Sequence, residues 1–144
     1  MKVLVCGSRD IDDRNVIYSA IRESPFEIDM IVSGDASGVD SIAAEYATFT
    51  PDIRVESHPI PEWVWAQIGS KAGPLRNEYM VEQADAVVAV WDGQSSGTKD
   101  AMAQAEAAGL PVYKVLCEET GELGWVVEDE RLIEDDQADL HEFC

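Results

Sequence analysis

Three short stretches place glycine, hydroxyl and charged residues where an anion could be held: "GSRD" at 7–10, "SGDASGVD" at 33–40 and "DGQSSGTKD" at 92–100. Glycine lets backbone N–H groups approach a phosphate-like group closely, and a following helix start adds partial positive charge. The candidate ligand-binding residues in these loops are Gly7, Ser8 and Arg9, then Gly34, Ser37, Gly38 and Asp40, then Gly93, Ser95, Ser96, Gly97, Thr98 and Lys99. A fourth stretch, "GSKAGPLRN" at 69–77, contributes Lys71, Arg76 and Asn77. Four of the ten lysines and arginines, Arg9, Lys71, Arg76 and Lys99, therefore fall in or beside these loops. Lys99 reads as part of a cradle kept basic inside an acidic chain. Glycine and serine also serve ordinary strand-to-helix turns, so the weight lies on three such loops converging. Neither GxGxxG nor GxxxxGK[ST] occurs, which disfavours a dinucleotide dehydrogenase and a standard NTPase.

The segment "PIPEWVWAQIGSKAGPLRN" at 59–77 is a long excursion where a short connection would suffice, and it carries Trp63 and Trp65. Trp63 is the candidate to stack on a nucleobase, against the commoner role of an aromatic packed beneath a loop. His58 and His141 each stand apart from cysteine or a second histidine at ligand spacing, so no metal site is expected. No GxSxG elbow or Ser–His–Asp set suggests nucleophilic catalysis, and no cofactor is called for.

The elements that must position these loops alternate. "KVLVCG" reads as a buried strand, followed by a helix capped by Asp12 or Asp13 with Val16, Ile17, Ala20 and Ile21 on its inner face. Met30 to Val32 form a second strand, and Val39, Ile42, Ala43 and Tyr46 line the next helix. "DIRVES" at 52–57 is a third strand, and "DAVVAVW" at 85–91, apolar on both alternating faces, is the middle of a parallel sheet. A helix to Ala108, a terminating Gly109 and the strand "PVYKVL" follow. The expected fold is a Rossmann-like three-layer α/β/α sandwich with a mainly parallel five-stranded sheet and four helices over residues 1–117. Residues 118–144 read as an acidic extension, in which "GWVVEDERLI" could form an edge strand or a short helix and the stretch from Glu134 a frayed tail. Ligands in such sheets bind beyond the carboxyl ends of the strands, which is where the glycine-rich loops lie.

The 144 residues suit one domain, and 46% apolar content suits a folded core. Twenty-nine acidic residues against ten basic ones give a formal net charge of −19. Such a surface repels polyanions and suits molar salt, where the Debye length is about 3 Å. A halophilic cytoplasm is the expectation, with a merely acidic protein as the alternative. Cys6, Cys117 and Cys144 show no CxxC pairing, as expected of reduced thiols, and no leader or membrane span is read.

These motifs, in the order "GSRD", "SGDASGVDSIAAEYA", "PEWVWAQIGSKAGPLRNEYM", "ADAVVAVWDGQSSGTKDAM" and "AAGLPV", resemble the YspA-like, YpsA-related branch of the SLOG superfamily from Lys2 to about Leu116. That Rossmann-like group also holds the Lonely guy phosphoribohydrolases, the lysine-decarboxylase-like proteins and DNA processing protein A. The resemblance implies a nucleotide or nucleotide-derived ligand at the same loops, and homodimers or larger homo-oligomers. It matches Arg76 to the arginine that Lonely guy enzymes use at an N-glycosidic bond. Their "GT-x-E-E" pattern is departed from here: Asp100 falls on the first acid and Ala101 on the catalytic one, and the loop lacks their proline and two glycines. Cleavage through an oxocarbenium-like state needs a carboxylate beside the sugar. The catalytic candidates are accordingly Arg76 and Asp100.

Three functions follow. The first is a nucleotide-binding sensor or module, which needs only the loops and cations. The second is a nucleotide N-glycosidase using Arg76 and Asp100. The third is single-stranded DNA binding, disfavoured by the acidic surface and its salt penalty.

Overall fold

A computed structural model describes residues 1–119 and 124–133. Strand β1 (Lys2–Gly7) leads to helix α1 (Arg14–Glu23), β2 (Met30–Ser33), α2 (Val39–Thr48) and β3 (Arg54–Ser57). Helix α3 (Glu62–Ile68), a single 3-10 turn at Gly69–Lys71, and α4 (Ala72–Gln83) precede β4 (Ala86–Trp91). Helix α5 (Ser96–Ala107), β5 (Val112–Glu119) and β6 (Trp125–Ile133) follow. The sheet order is β3-β2-β1-β4-β5-β6, parallel except for antiparallel β6.

Strand alternation assigns side chains to two layers. Val3, Val5, Ile31, Val88 and Val90 face α1 and α2, packing on Ile17, Ile21, Val39 and Ala43. Leu4, Cys6, Val32, Val87 and Ala89 face the other way onto Met80 and Val81 of α4 and Ala101, Met102 and Ala105 of α5. Both faces of the central strands are dry, which is why "DAVVAVW" carries no alternating polar residues. The chain is therefore an α/β Rossmann-like sandwich of three layers, with six strands among the described residues in place of the five expected.

The sixth strand comes from the stretch read as an acidic extension. Trp125 to Glu130 alternate half-buried and exposed residues, as an edge strand with one covered face must, and Arg131 and Leu132 are both exposed before half-buried Ile133. Tyr113 donates a 2.6 Å hydrogen bond to Glu130 Oε2, fastening β6 to β5. The stretch from Glu134, read as a frayed tail, and His141 lie outside the described residues.

The long excursion at 59–77 has a topological reason. β3 is the sheet edge, while β4 sits on the far side of β1, so the chain must pass over β2 and β1 and change layers. With strands about 4.8 Å apart, that crossing needs more chain than a tight turn supplies. α3, the 3-10 turn and the start of α4 provide it. The same crossing makes β1 and β4, whose Gly7 and Val90 are in register, the place where strand order reverses. A crevice opens at such a point beyond the strand ends.

Candidate functional site

The β1 end sets the floor. Ser8 continues the β1–β4 ladder by donating its N–H to the Val90 carbonyl at 3.1 Å. Its buried hydroxyl accepts the Asp92 N–H at 3.0 Å, tying the first loop to the loop after β4. Asp92 in turn accepts the N–H groups of Gln94 and Ser95, each at 2.8 Å, an Asx turn that shapes the "DGQSS" loop. Burial pushes the Asp92 carboxyl up, but the N–H groups of Ser95 and Gln94 and the Ser8 hydroxyl outweigh it and hold the group below its ordinary value. The Trp91 indole donates to the Ser95 carbonyl at 3.0 Å, closing the loop over the start of α5.

Helix α5 then begins without a side-chain cap, Ser95 serving only through its backbone. The first N–H groups of a helix have no intrahelical partner, so they remain available to a ligand. A Cβ at Gly97 would meet nothing within 4 Å, so this end faces open space.

The β2 end supplies a different chemistry. Arg76, from α4, donates from Nη1 to the Gly34 carbonyl at 2.8 Å, while its buried Nε has no partner among the described residues. Burial lowers the Arg76 pKa, opposed by the charge of Asp40 and reinforced by that of Arg9. Asp40, only 6% exposed at the start of α2, accepts the Ala36 N–H at 3.3 Å. Its carboxyl is pushed up to about 6 by burial, against the pull of that N–H and of Arg76 and Arg9. A Cβ at Gly34 would lie 2.9 Å from both Arg76 Cζ and Asp40 Oδ2, so a larger residue would push these two side-chain ends out of their present positions. Gly38, at φ +73°, turns the chain into α2 against the Arg9 carbonyl.

Asp100 is held from two sides. Its Oδ2 accepts Asn77 Nδ2 at 3.0 Å and Gln104 Nε2 at 2.8 Å, and the same Asn77 amide donates to the Gly97 carbonyl at 3.1 Å. Asn77 is thereby the bracket between α4 and the start of α5.

These ends enclose an open cleft of about 840 Å³. Of the residues expected from sequence, Gly7, Ser8, Arg9, Asp40, Arg76 and Asn77 line it, as do Ser95, Ser96, Gly97, Thr98 and Asp100. Gly34 and Ser37 line a smaller adjoining lobe of about 220 Å³. Gly38, Trp63, Lys71, Gly93 and Lys99 lie outside both linings. Lys99 is exposed because α5 starts at Ser96 and turns Thr98, Ala101, Met102 and Ala105 inward. Trp63 is 64% exposed, and Trp65 takes the place by the cleft. Residues two apart on a helix point about 200° apart, and α3 buries no residue that would reveal its phase in the sequence. Asp92 and Gln104 are not among the candidates read from the sequence, where Trp65 is named only beside the preferred Trp63. Only Asp92 carried a signal, its position ahead of Gly93 and Ser95 in an Asx-turn pattern.

Among the described residues no three His, Cys, Asp or Glu side chains gather as a metal site would need, and no helix is long and apolar enough to cross a membrane. Cys6 and Cys117 are buried free thiols; burial pushes Cys117 up to about 11, with Asp13 and other carboxylates adding to it.

The geometry defines an α/β protein with a polar cleft at the strand-order reversal. A family model described as the YspA, cpYpsA-related SLOG family matches residues 1–63. The Gene 61 protein of Mycobacterium phage D29 is 36% identical, over 77% of this chain and 93% of its own length. The chain belongs to the YspA, cpYpsA-related SLOG family. The solved structure of DNA processing protein A from Helicobacter pylori, described for its single-stranded DNA binding mode, superposes with a TM-score of 0.56 at 21% identity. That match covers 99% of this chain and 72% of the other, and it is a likeness of fold.

Proposed function

We propose that this protein binds a nucleotide or nucleotide-derived ligand in the cleft beyond β1 and β4, as a sensor or binding module. One observation carries the reading. Arg9, Arg76 and the uncapped start of α5 converge on one cleft, in a chain whose net charge is −19. The two guanidinium groups and the unpartnered N–H groups of the α5 start are the donors a small anion would use there, beside the carboxylates of Asp10, Asp40, Asp92 and Asp100 that also line the cleft. The cleft volume falls within the roughly 300–1,000 Å³ of small-molecule sites.

The glycosidase reading has less support. Asp100 already accepts two amide donors, and Ala101 occupies the position of the enzymes' catalytic acid. Single-stranded DNA binding is favoured by the fold likeness to DNA processing protein A, and opposed by the repulsion that a long polyanion meets outside the cleft.

Thermal unfolding in molar KCl tests the three together, with AMP, GMP, ADP-ribose, NAD and an oligothymidylate. A ligand at 100 times its Kd stabilises the fold by about 2.7 kcal/mol. The expected result is a shift with a nucleotide that Arg76→Ala removes, with the ligand recovered intact by chromatography. Release of free base would replace the reading with the glycosidase. A shift with oligothymidylate alone would replace it with DNA binding, and no shift with any ligand would refute it.

A further inference from the structure

Asp40 lines the cleft together with Arg9 and Arg76, yet among the described residues it forms an ion pair with neither. It is buried, and its carboxyl accepts only the Ala36 N–H. Arg76 Cζ and Asp40 Oδ2 each lie 2.9 Å from the point where a Cβ on Gly34 would stand, so the two ends are within twice that distance of each other. Arg76 meanwhile spends Nη1 on the Gly34 carbonyl and keeps a buried Nε without a partner.

A buried carboxyl so close to the donors that an anion would use competes with that anion. Ionised, Asp40 offsets part of the charge of Arg76 and Arg9 and repels the incoming group. Protonated, it leaves both guanidinium groups to the anion. The bound anion in turn disfavours the ionised carboxyl, so anion and proton each strengthen the binding of the other. Burial already pushes the carboxyl of the free protein up to about 6, which puts the exchange within ordinary pH.

The other titratable groups nearby do not supply the same switch. Asp35, on the same loop as Gly34, and Asp10 are exposed to solvent. Asp92, despite its burial, is held below its ordinary value by the N–H groups of Ser95 and Gln94. Asp100 is occupied by the Asn77 and Gln104 amides. The Cys6 thiol on β1 is pushed far up by burial, with the charge of Asp40 adding to it, and stays neutral. His58 packs on Tyr79 and lines neither cavity.

We propose that Asp40 makes anion binding in this cleft proton-linked: its carboxyl takes a proton from solvent as the anion settles on Arg9 and Arg76, and binding weakens as rising pH withdraws that proton. This rests on the nucleotide reading above and adds the regulation of that site.

The probe is whichever of AMP, GMP, ADP-ribose and NAD gives the largest thermal shift. Calorimetric titration in molar KCl at pH 6.5, in two buffers of different ionisation enthalpy, counts the protons taken up on binding. Subtracting the value for Asp40→Asn cancels any proton that the nucleotide itself gains or loses. Wild type is expected to take up about half a proton more than the variant, as a carboxyl moved by the anion from about 6 to about 7 would. Asp40→Asn should bind roughly fivefold or more tightly than wild type at pH 8, and the two should converge at pH 5. In wild type alone, the Asp40 carboxyl carbon followed by 13C NMR should titrate at higher pH with the nucleotide than without it, a readout that stands even where the variant does not fold. Equal proton uptake by the two proteins, an affinity ratio independent of pH, or a carboxyl titration that the nucleotide leaves unmoved would overturn the linkage and leave the nucleotide reading intact. Binding of none of the four nucleotides would overturn that reading, and the inference with it.

Discussion

Asp40 is a carboxyl that the fold holds at a cost, and Asp40→Asn should make the protein more stable at neutral pH. Its pKa rises from 3.8 to about 6 because burial in the α2 start outweighs the Ala36 N–H and the charges of Arg76 and Arg9. The attraction of the two arginines is already contained in that value, so the ionised form remains disfavoured after they have acted. A rise of this size corresponds to about 3 kcal/mol of stability. The folded state binds the proton more tightly than the unfolded chain. The contribution is therefore complete below the unfolded pKa and is lost as pH rises through about 6. Asparagine behaves as a carboxyl that never ionises, and its side-chain oxygen can still accept the Ala36 N–H. The variant should gain about 3 kcal/mol over wild type at pH 7.5 and about half that at pH 5, with the two converging below pH 4. For a chain of this size the neutral-pH gain is about 10 °C in Tm. Scanning calorimetry of both proteins from pH 4 to 8 in molar KCl reads it directly. A stability difference independent of pH, or a variant less stable than wild type at pH 7.5, would refute the reasoning.

Two further substitutions probe the frame around the cleft. Gly7→Ala should destabilise the fold by about 3 kcal/mol, because its Cβ would lie 2.3 Å from the Val90 carbonyl oxygen and 2.6 Å from Val39 Cγ2, where the backbone must move. An unchanged urea midpoint would show that β1 and β4 do not meet α2 so closely. Asp13→Ala removes the cap that accepts the Asn15 and Val16 N–H groups of α1 and should cost about 1 kcal/mol by the same assay, whereas Asp12→Ala should cost nothing comparable.

The loops were legible in the sequence because their chemistry is local. A glycine at a strand end, a hydroxyl at a helix start and an apolar run that is dry on both faces each carry their reason within a few residues. Gly7, Gly34 and Asp40 could be read from that pattern. So could the three strands β1, β2 and β4 that deliver the loops, and the capping Asp13 was one of two adjacent candidates.

Side-chain direction was less legible where an element buries little. Helix α5 buries a full stripe, yet the alternation of polar and small residues around Lys99 left its outward direction open. Helix α3 buries nothing, so Trp63 and Trp65 are equivalent in sequence and distinct in space. The strand Trp125–Ile133 was ambiguous for the opposite reason: its acidic residues speak for solvent, and only pairing with β5 and the Tyr113 bond to Glu130 make it part of the sheet.

The sequence by itself thus determined that this is an alternating α/β chain with anion-suited loops at its strand ends and a strongly acidic surface. Only the tertiary structure decided which cations face the cleft, that Asn77 and Gln104 bind Asp100, and that Arg9 and Arg76 line both the cleft and its smaller lobe. Those are relations between residues brought together by the crossing from β3 to β4. Composition and periodicity report what a residue is and which way its own element repeats. They carry no information about the distance between Arg76 and Gly34, which are 42 positions apart in sequence and 2.8 Å apart in the fold.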